Sequence, residues 1–195
     1  MKNRQSILYY SLIIIGSAGI IIDLGYDLFR PGTPYFGDKQ FIGFIASLFI
    51  LLAGFRISSK AKKDFWDFVF LFIYIAGMFY LVFKPGDDSH FYHTGLLVIK
   101  NFGAYDLILN VIGFMPLGYL LMSLFSKTAE KCSLNLRFLV ISLIGVLLSF
   151  FIEIIQYDIP GRTSSLIDVV ANGSGNLIGM TLFLLFCSIS KENNS

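Results

Sequence analysis

The 195 residues are 55% apolar and only 14% charged, with a mean hydropathy of +0.72 and a formal net charge of +2. Soluble domains carry roughly a quarter charged residues, so a water-soluble globular fold is excluded: the polar surface is too small to cover such a core. The basic residues form no patch interleaved with aromatics, which excludes a nucleic-acid partner and leaves membrane lipids as the natural surroundings.

Six apolar stretches read as membrane helices. Span 1 covers 7–24, behind the basic start Met1, Lys2, Asn3 and Arg4. Its apolar run continues past Ser17, Ala18 and Gly19 without a convincing cleavage site, so it reads as an uncleaved anchor and not a secretory signal. Span 2, residues 41–55, reaches only about 22 Å at 1.5 Å per residue, short of the roughly 30 Å hydrocarbon core. Span 3 is 65–83, span 4 is 107–125, span 5 is 138–155 and span 6 is 166–188. These runs are continuously apolar and do not alternate, which argues against a membrane β-barrel. The expected fold class is an all-α, polytopic membrane helix bundle with about six transmembrane helices.

Charge orients the bundle. With the N-terminus in the cytoplasm, Lys2, Arg4, Arg56, Lys60, Lys62, Lys63, Lys127, Lys131, Arg137 and Lys191 all fall inside, ten of the fifteen Lys and Arg. Nine of the thirteen acidic residues fall outside. The positive-inside rule counts Lys and Arg, so both termini are expected in the cytoplasm. The same rule retains the short span 2, because without it the Arg56–Lys63 cluster would lie outside or the N-terminus would flip. The chain then divides into N-terminal transmembrane helices at 1–83, an external loop at 84–106 and a helical core at 107–190. The loop carries Phe91, Tyr92, Leu96, Leu97, Val98 and Ile99, which suit an interfacial or re-entrant segment. His90 and His93 lie near Asp87 and Asp88 but lack the further ligands of a metal site, so no metal and no cofactor is expected. Cys132 and Cys187 both fall near the cytoplasmic side, where thiols stay reduced.

Polar side chains inside membrane spans are costly and mark candidate sites. Here they gather at one end. Asp106 and Asn110 open span 4, Glu153 and Gln156 close span 5, Arg162 lies in the connecting loop, and Asp168, Asn172 and Asn176 follow along span 6. The spacings of three and four put each set on one helix face. Gly175 and Gly179 accompany the last stripe, while Gly145 and Ser149 lead to Glu153. Small residues let membrane helices approach closely, so spans 4, 5 and 6 are expected to pack around an outward-facing polar pocket. Pro116, with Gly113 and Gly118 nearby, sits mid-span, where it frees a carbonyl and kinks the helix.

Three ordered motifs resemble the VanZ-like family. Asn110, Phe114, Pro116 and Gly118 resemble its first motif, and Glu153 with Gln156 its second. Gly161, Arg162, Asp168, Asn172, Gly175 and Gly179 resemble its third, in the same order and spacing. The resemblance covers about 106–185; spans 1 and 2 look like an added or divergent part. It implies an integral protein of the bacterial cytoplasmic membrane, in a family named for a protein linked to low-level teicoplanin resistance in Gram-positive bacteria. It carries over no settled chemistry.

The residues themselves allow three uses. Glu153, Arg162 and Asp168 can pair while the Asn and Gln side chains bond between helices, a purely structural network. Alternatively, Arg162 holds a phosphate or carboxylate of a glycopeptide, or of a lipid-linked or cell-wall component, with Asn110, Gln156 and Asn172 adding neutral hydrogen bonds. In the third use, Glu153 and Asp168 act as acid and base beside Arg162 in an enzyme acting on a lipid-linked or phospholipid substrate at the outer leaflet. Ser164 and Ser165 are expected to cap span 6. Oligomeric state has no signature in the sequence.

Overall fold

A computed structural model describes residues 11–12, 14–19, 45–48, 50–51, 63–83, 104–129 and 132–192. Among these the chain is helical, with no β-strand. Residues 14–19 belong to α1 and 45–48 to α2; α3 is Lys63–Phe83, α4 Ala104–Thr128, α5 Leu134–Tyr157 and α6 Leu166–Glu192. The helices fall within or around the expected spans, and α4 to α6 extend past them by a few residues. The ends of spans 1 and 2, and the expected interfacial segment with His90 and His93, lie outside the described residues.

Among the described residues, three helices are long and apolar enough to cross a membrane: Asp106–Ser126, Leu134–Tyr157 and Leu166–Cys187. The apolar stretch of α3, Phe65–Tyr80, is shorter. The protein is therefore a membrane protein, and its described residues form helices. Cys132 and Cys187 are free thiols.

Two compact units divide the chain, residues 1–74 and 75–195. In the first, α1 and α2 approach closely: a side chain added at Gly16 would run into Leu51 and the Ser47 carbonyl, and one at Gly19 into the Ser47 side chain. Ile45, Leu48, Leu51, Phe70 and Tyr74 form its buried apolar set, and Asp67 is buried with a partner. The second unit contains α4, α5 and α6, each packed on the other two, with α6 most extensively on α4.

Local chemistry sets the ends of these helices. Ser133 caps α5, its hydroxyl accepting from the Leu136 N–H at 3.3 Å. Arg137 Nε and Nη2 both donate to the Cys132 carbonyl, at 3.1 and 3.0 Å, and so brace the turn before the cap. After Tyr157 the chain reverses through tight turns, with Asp158, Ile159 and Arg162 N–H groups bonded three residues back. Gly161 adopts φ 73°, a left-handed conformation that costs glycine nothing and an ordinary residue strain. This reversal runs α6 antiparallel to α5 and parallel to α4. The start of α4, the end of α5 and the start of α6 thereby meet at one end of the unit.

Candidate functional site

The face of α5 that turns inward reads Ile141, Gly145, Ser149, Ile152 and Glu153. The facing stripe of α6 reads Ser165, Asp168, Asn172 and Asn176, all buried. Because the helices are antiparallel, the two stripes pair rung by rung. At the outermost rung the Ser165 N–H donates to Glu153 Oε2 at 2.6 Å. One turn in, Asn172 Nδ2 donates to Ser149 Oγ at 2.8 Å. At the third rung Asn176 Nδ2 donates to the Ile141 carbonyl at 3.1 Å. That last bond depends on Gly145, where an added side chain would collide with the Asn176 amide.

The N-terminus of α6 shows how Glu153 and Asp168 divide their work. Ser165 is the cap: its hydroxyl accepts from the Ile167 and Asp168 N–H groups at 3.2 and 3.4 Å. Ser165 and Asp168 have the spacing of a capping box, in which the acidic side chain would return to the N–H of the capping residue. Here Glu153 of α5 takes that N–H instead. Asp168 is thus released to accept from Asn110 Nδ2 of α4 at 2.5 Å. One carboxylate ties α5 to α6, and the other ties α6 to α4.

The contact of α4 with α6 is made by backbone. A side chain at Gly175 would strike the Val111 carbonyl, one at Gly179 the Met115 carbonyl, and one at Gly118 the Asn176 carbonyl. At this separation Cα–H groups face carbonyl oxygens, a weak but recurrent attraction between membrane helices. Pro116 is fully buried within α4 beside this seam. Further along, Tyr119 meets Phe183 edge-on with ring centroids 5.5 Å apart.

Every residue expected at the site lies in this three-helix unit. Glu153, Asp168, Asn172 and Asn176 form a buried layer; Glu153 is 2% and Asn172 3% exposed. Asn110, Gln156 and Arg162 are half-buried at its rim, and Asp106 is exposed in the first turn of α4. The charges of Arg162 and Asp168 both act on Glu153. Pro116, Gly118, Gly175 and Gly179 occupy the seam beneath. Sequence reasoning assigned Ser149 and Ser165 only a helix face and a cap. It missed that each is a hydrogen-bond partner across the seam. The capping-box spacing of Ser165 and Asp168, with a second carboxylate at Glu153, was the signal available.

No curated protein and no solved structure matches the chain. A family model, VanZ/LLP1, matches residues 44–187, which include most of span 2, α3, α4, α5, the connecting turn and nearly all of α6; the family region is thus longer than the motifs at 106–185 suggested, and span 2 belongs to it instead of being an added part. The match covers well over half of the sequence and contains every residue of the buried layer and its rim, so this chain is a member of the VanZ/LLP1 family.

Proposed function

We propose that this VanZ/LLP1 membrane protein sits in a bacterial cytoplasmic membrane with six spans and both termini inside. Its α4–α6 unit then binds a glycopeptide, or a lipid-linked or cell-wall component, from the external face. The observation that carries this reading is the layering of the site. Glu153, Asp168 and Asn172 are buried and held across three helices, while Asn110, Gln156 and Arg162 remain accessible above them. A rigid inner layer under a polar rim suits recognition, since side chains already locked in place lose little freedom on binding.

Expression in a teicoplanin-sensitive Gram-positive host is the direct test. The expected result is reduced susceptibility, lost in Arg162→Ala and Gln156→Ala at unchanged membrane levels. Unchanged susceptibility together with unchanged surface drug binding would remove the glycopeptide reading. The orientation has its own check: a cysteine at position 62, in Lys62→Cys, should stay unlabelled by an impermeant thiol reagent in intact cells.

A second reading, an enzyme acting on a lipid-linked or phospholipid substrate at the outer leaflet, is favoured by two buried carboxylates held on neighbouring helices with Arg162 acting on one of them. Lipid profiles of cells carrying the wild type, Glu153→Gln and Asp168→Asn decide it. An enzyme predicts a difference that both substitutions abolish; identical profiles in all three exclude it.

A further inference from the structure

Two carboxyl groups and a buried amide oxygen come together in the inner layer of the site. Among the donors that reach it are the Ser165 N–H to Glu153, Asn110 Nδ2 to Asp168, and Asn172 Nδ2 to Ser149. Against them stand two carboxylates, each with about four lone-pair positions, and the amide oxygen of Asn172. Among the described residues nothing donates to Asn172 Oδ1, although the side chain is only 3% exposed. A buried amide oxygen left without a partner costs about 1–3 kcal/mol, so such an atom calls for an explanation.

Its place in the fold supplies one. Asn172 lies one turn inward of Asp168 on α6, and its amide nitrogen bonds Ser149, one turn inward of Glu153 on α5. The Asn172 amide therefore lies in the seam directly beneath both carboxylates. Asn176 differs: its Oδ1 also lacks a conventional donor but points at Gly118 of α4, where a Cα–H group can meet it.

We propose that the inner layer binds a small monovalent cation, an organic ammonium group or an alkali-metal ion, through oxygens of Glu153, Asp168 and Asn172. This rests on the reading above that these residues form a binding site, and it names the chemistry of the ligand's buried end. Charge agrees: Glu153 and Asp168 outnumber Arg162, and Asp106 in the first turn of α4 adds a further acidic group acting on Asp168. A divalent metal ion is a poorer fit, because among the described residues no three His, Cys, Asp or Glu side chains are grouped to hold one. An anionic group would face two carboxylates here, and it is suited only to the rim beside Arg162.

The test uses the purified full chain in lipid nanodiscs, with no drug or cell-wall ligand present. Thermal unfolding is followed while sodium, potassium or methylammonium chloride replaces tetrapropylammonium chloride at constant ionic strength. The expected result is a saturable rise in Tm with at least one small cation. A rise with methylammonium alone identifies an ammonium ligand, and a rise with sodium or potassium alone identifies a metal ion. A rise with all three identifies a site for small cations in general. Glu153→Gln and Asp168→Asn should lose the rise. Asn172→Asp, which keeps the shape of the side chain and adds a negative charge, should lower the cation concentration at half-saturation several-fold. Equal Tm in every salt, or an unaltered response in Asn172→Asp, overturns the proposal. Because the assay contains no glycopeptide, its failure leaves the susceptibility test standing, and a failed susceptibility test leaves this result standing.

Discussion

The two seams that α6 makes are built on opposite principles. Against α4 it presents Gly175 and Gly179, and α4 returns Gly118, so backbone meets backbone. Against α5 it presents Asn172 and Asn176, and the contact runs through side-chain hydrogen bonds. The first seam relies on shape and tolerates no added atom. The second relies on polar bonds that lipid cannot supply, and each is worth little on its own. Burial follows the same division: α4 is buried over a larger share of its length than α5. The lesson is that α4 and α6 are joined by a close backbone seam, while α5 adds polar rungs to the buried apolar contacts of Ile141 and Ile152, the outermost rung belonging to the candidate site.

Substitutions at the first seam should have the largest effects. Gly175→Val places a branched Cβ where the Val111 carbonyl lies, and the expected loss is about 3 kcal/mol or more, measured by denaturation in mixed micelles. A Gly175→Val protein of normal stability would mean that the α4–α6 approach is looser than described. Next comes the outer rung of the second seam. Glu153→Ala strips the acceptor from the buried Ser165 N–H and should cost about 1–3 kcal/mol, whereas Glu153→Gln keeps an acceptor oxygen and should cost less. Equal losses in the two variants would show that Glu153 does not cap α6.

The middle rung is weaker. A double-mutant cycle with Ser149→Ala and Asn172→Ala should return a coupling of about 0.6–1.7 kcal/mol, the range of hydrogen bonds between membrane helices. A coupling near zero would leave α5 held on α6 by its outer and inner rungs and by apolar contact. The smallest effect is expected at Gly173, the glycine of α6 whose added Cβ would make only ordinary contact with Val146, at 3.4 Å. Gly173→Ala should raise stability by up to about 1 kcal/mol through helix propensity, in contrast to the neighbouring Gly175. If Gly173→Ala and Gly175→Ala were destabilised alike, the distinction between the seam and its flank would fail.

Much of the candidate site was legible before any coordinates. Periods of three and four placed Asp168, Asn172 and Asn176 on one face, and Glu153 with Ser149 and Gly145 on another. A helix permits no other arrangement at those spacings. The glycines were legible as seam residues for the same reason. Pairing was not legible. Whether Asp168 completes its own capping box or reaches Asn110 depends on where Glu153 arrives from another helix, and periodicity within one helix holds no record of that. The layering was also hidden, because Asn110 and Asn172 are the same residue type and only neighbouring helices make one a rim residue and the other a buried one.

The sequence by itself therefore determined the class of this protein: an all-helical membrane chain of the VanZ/LLP1 family, with its polar residues gathered at one end of three spans. Apolar run length and helical period are local properties, and a bilayer reads them directly. The tertiary structure alone decided the partners. The antiparallel return of α6 through Gly161 brings Ser165 to Glu153, Asn172 to Ser149 and Asp168 to Asn110. These contacts join residues 12 to 58 positions apart. Which donor meets which acceptor over such separations is settled by how close the helix backbones come, and here the glycines set that distance.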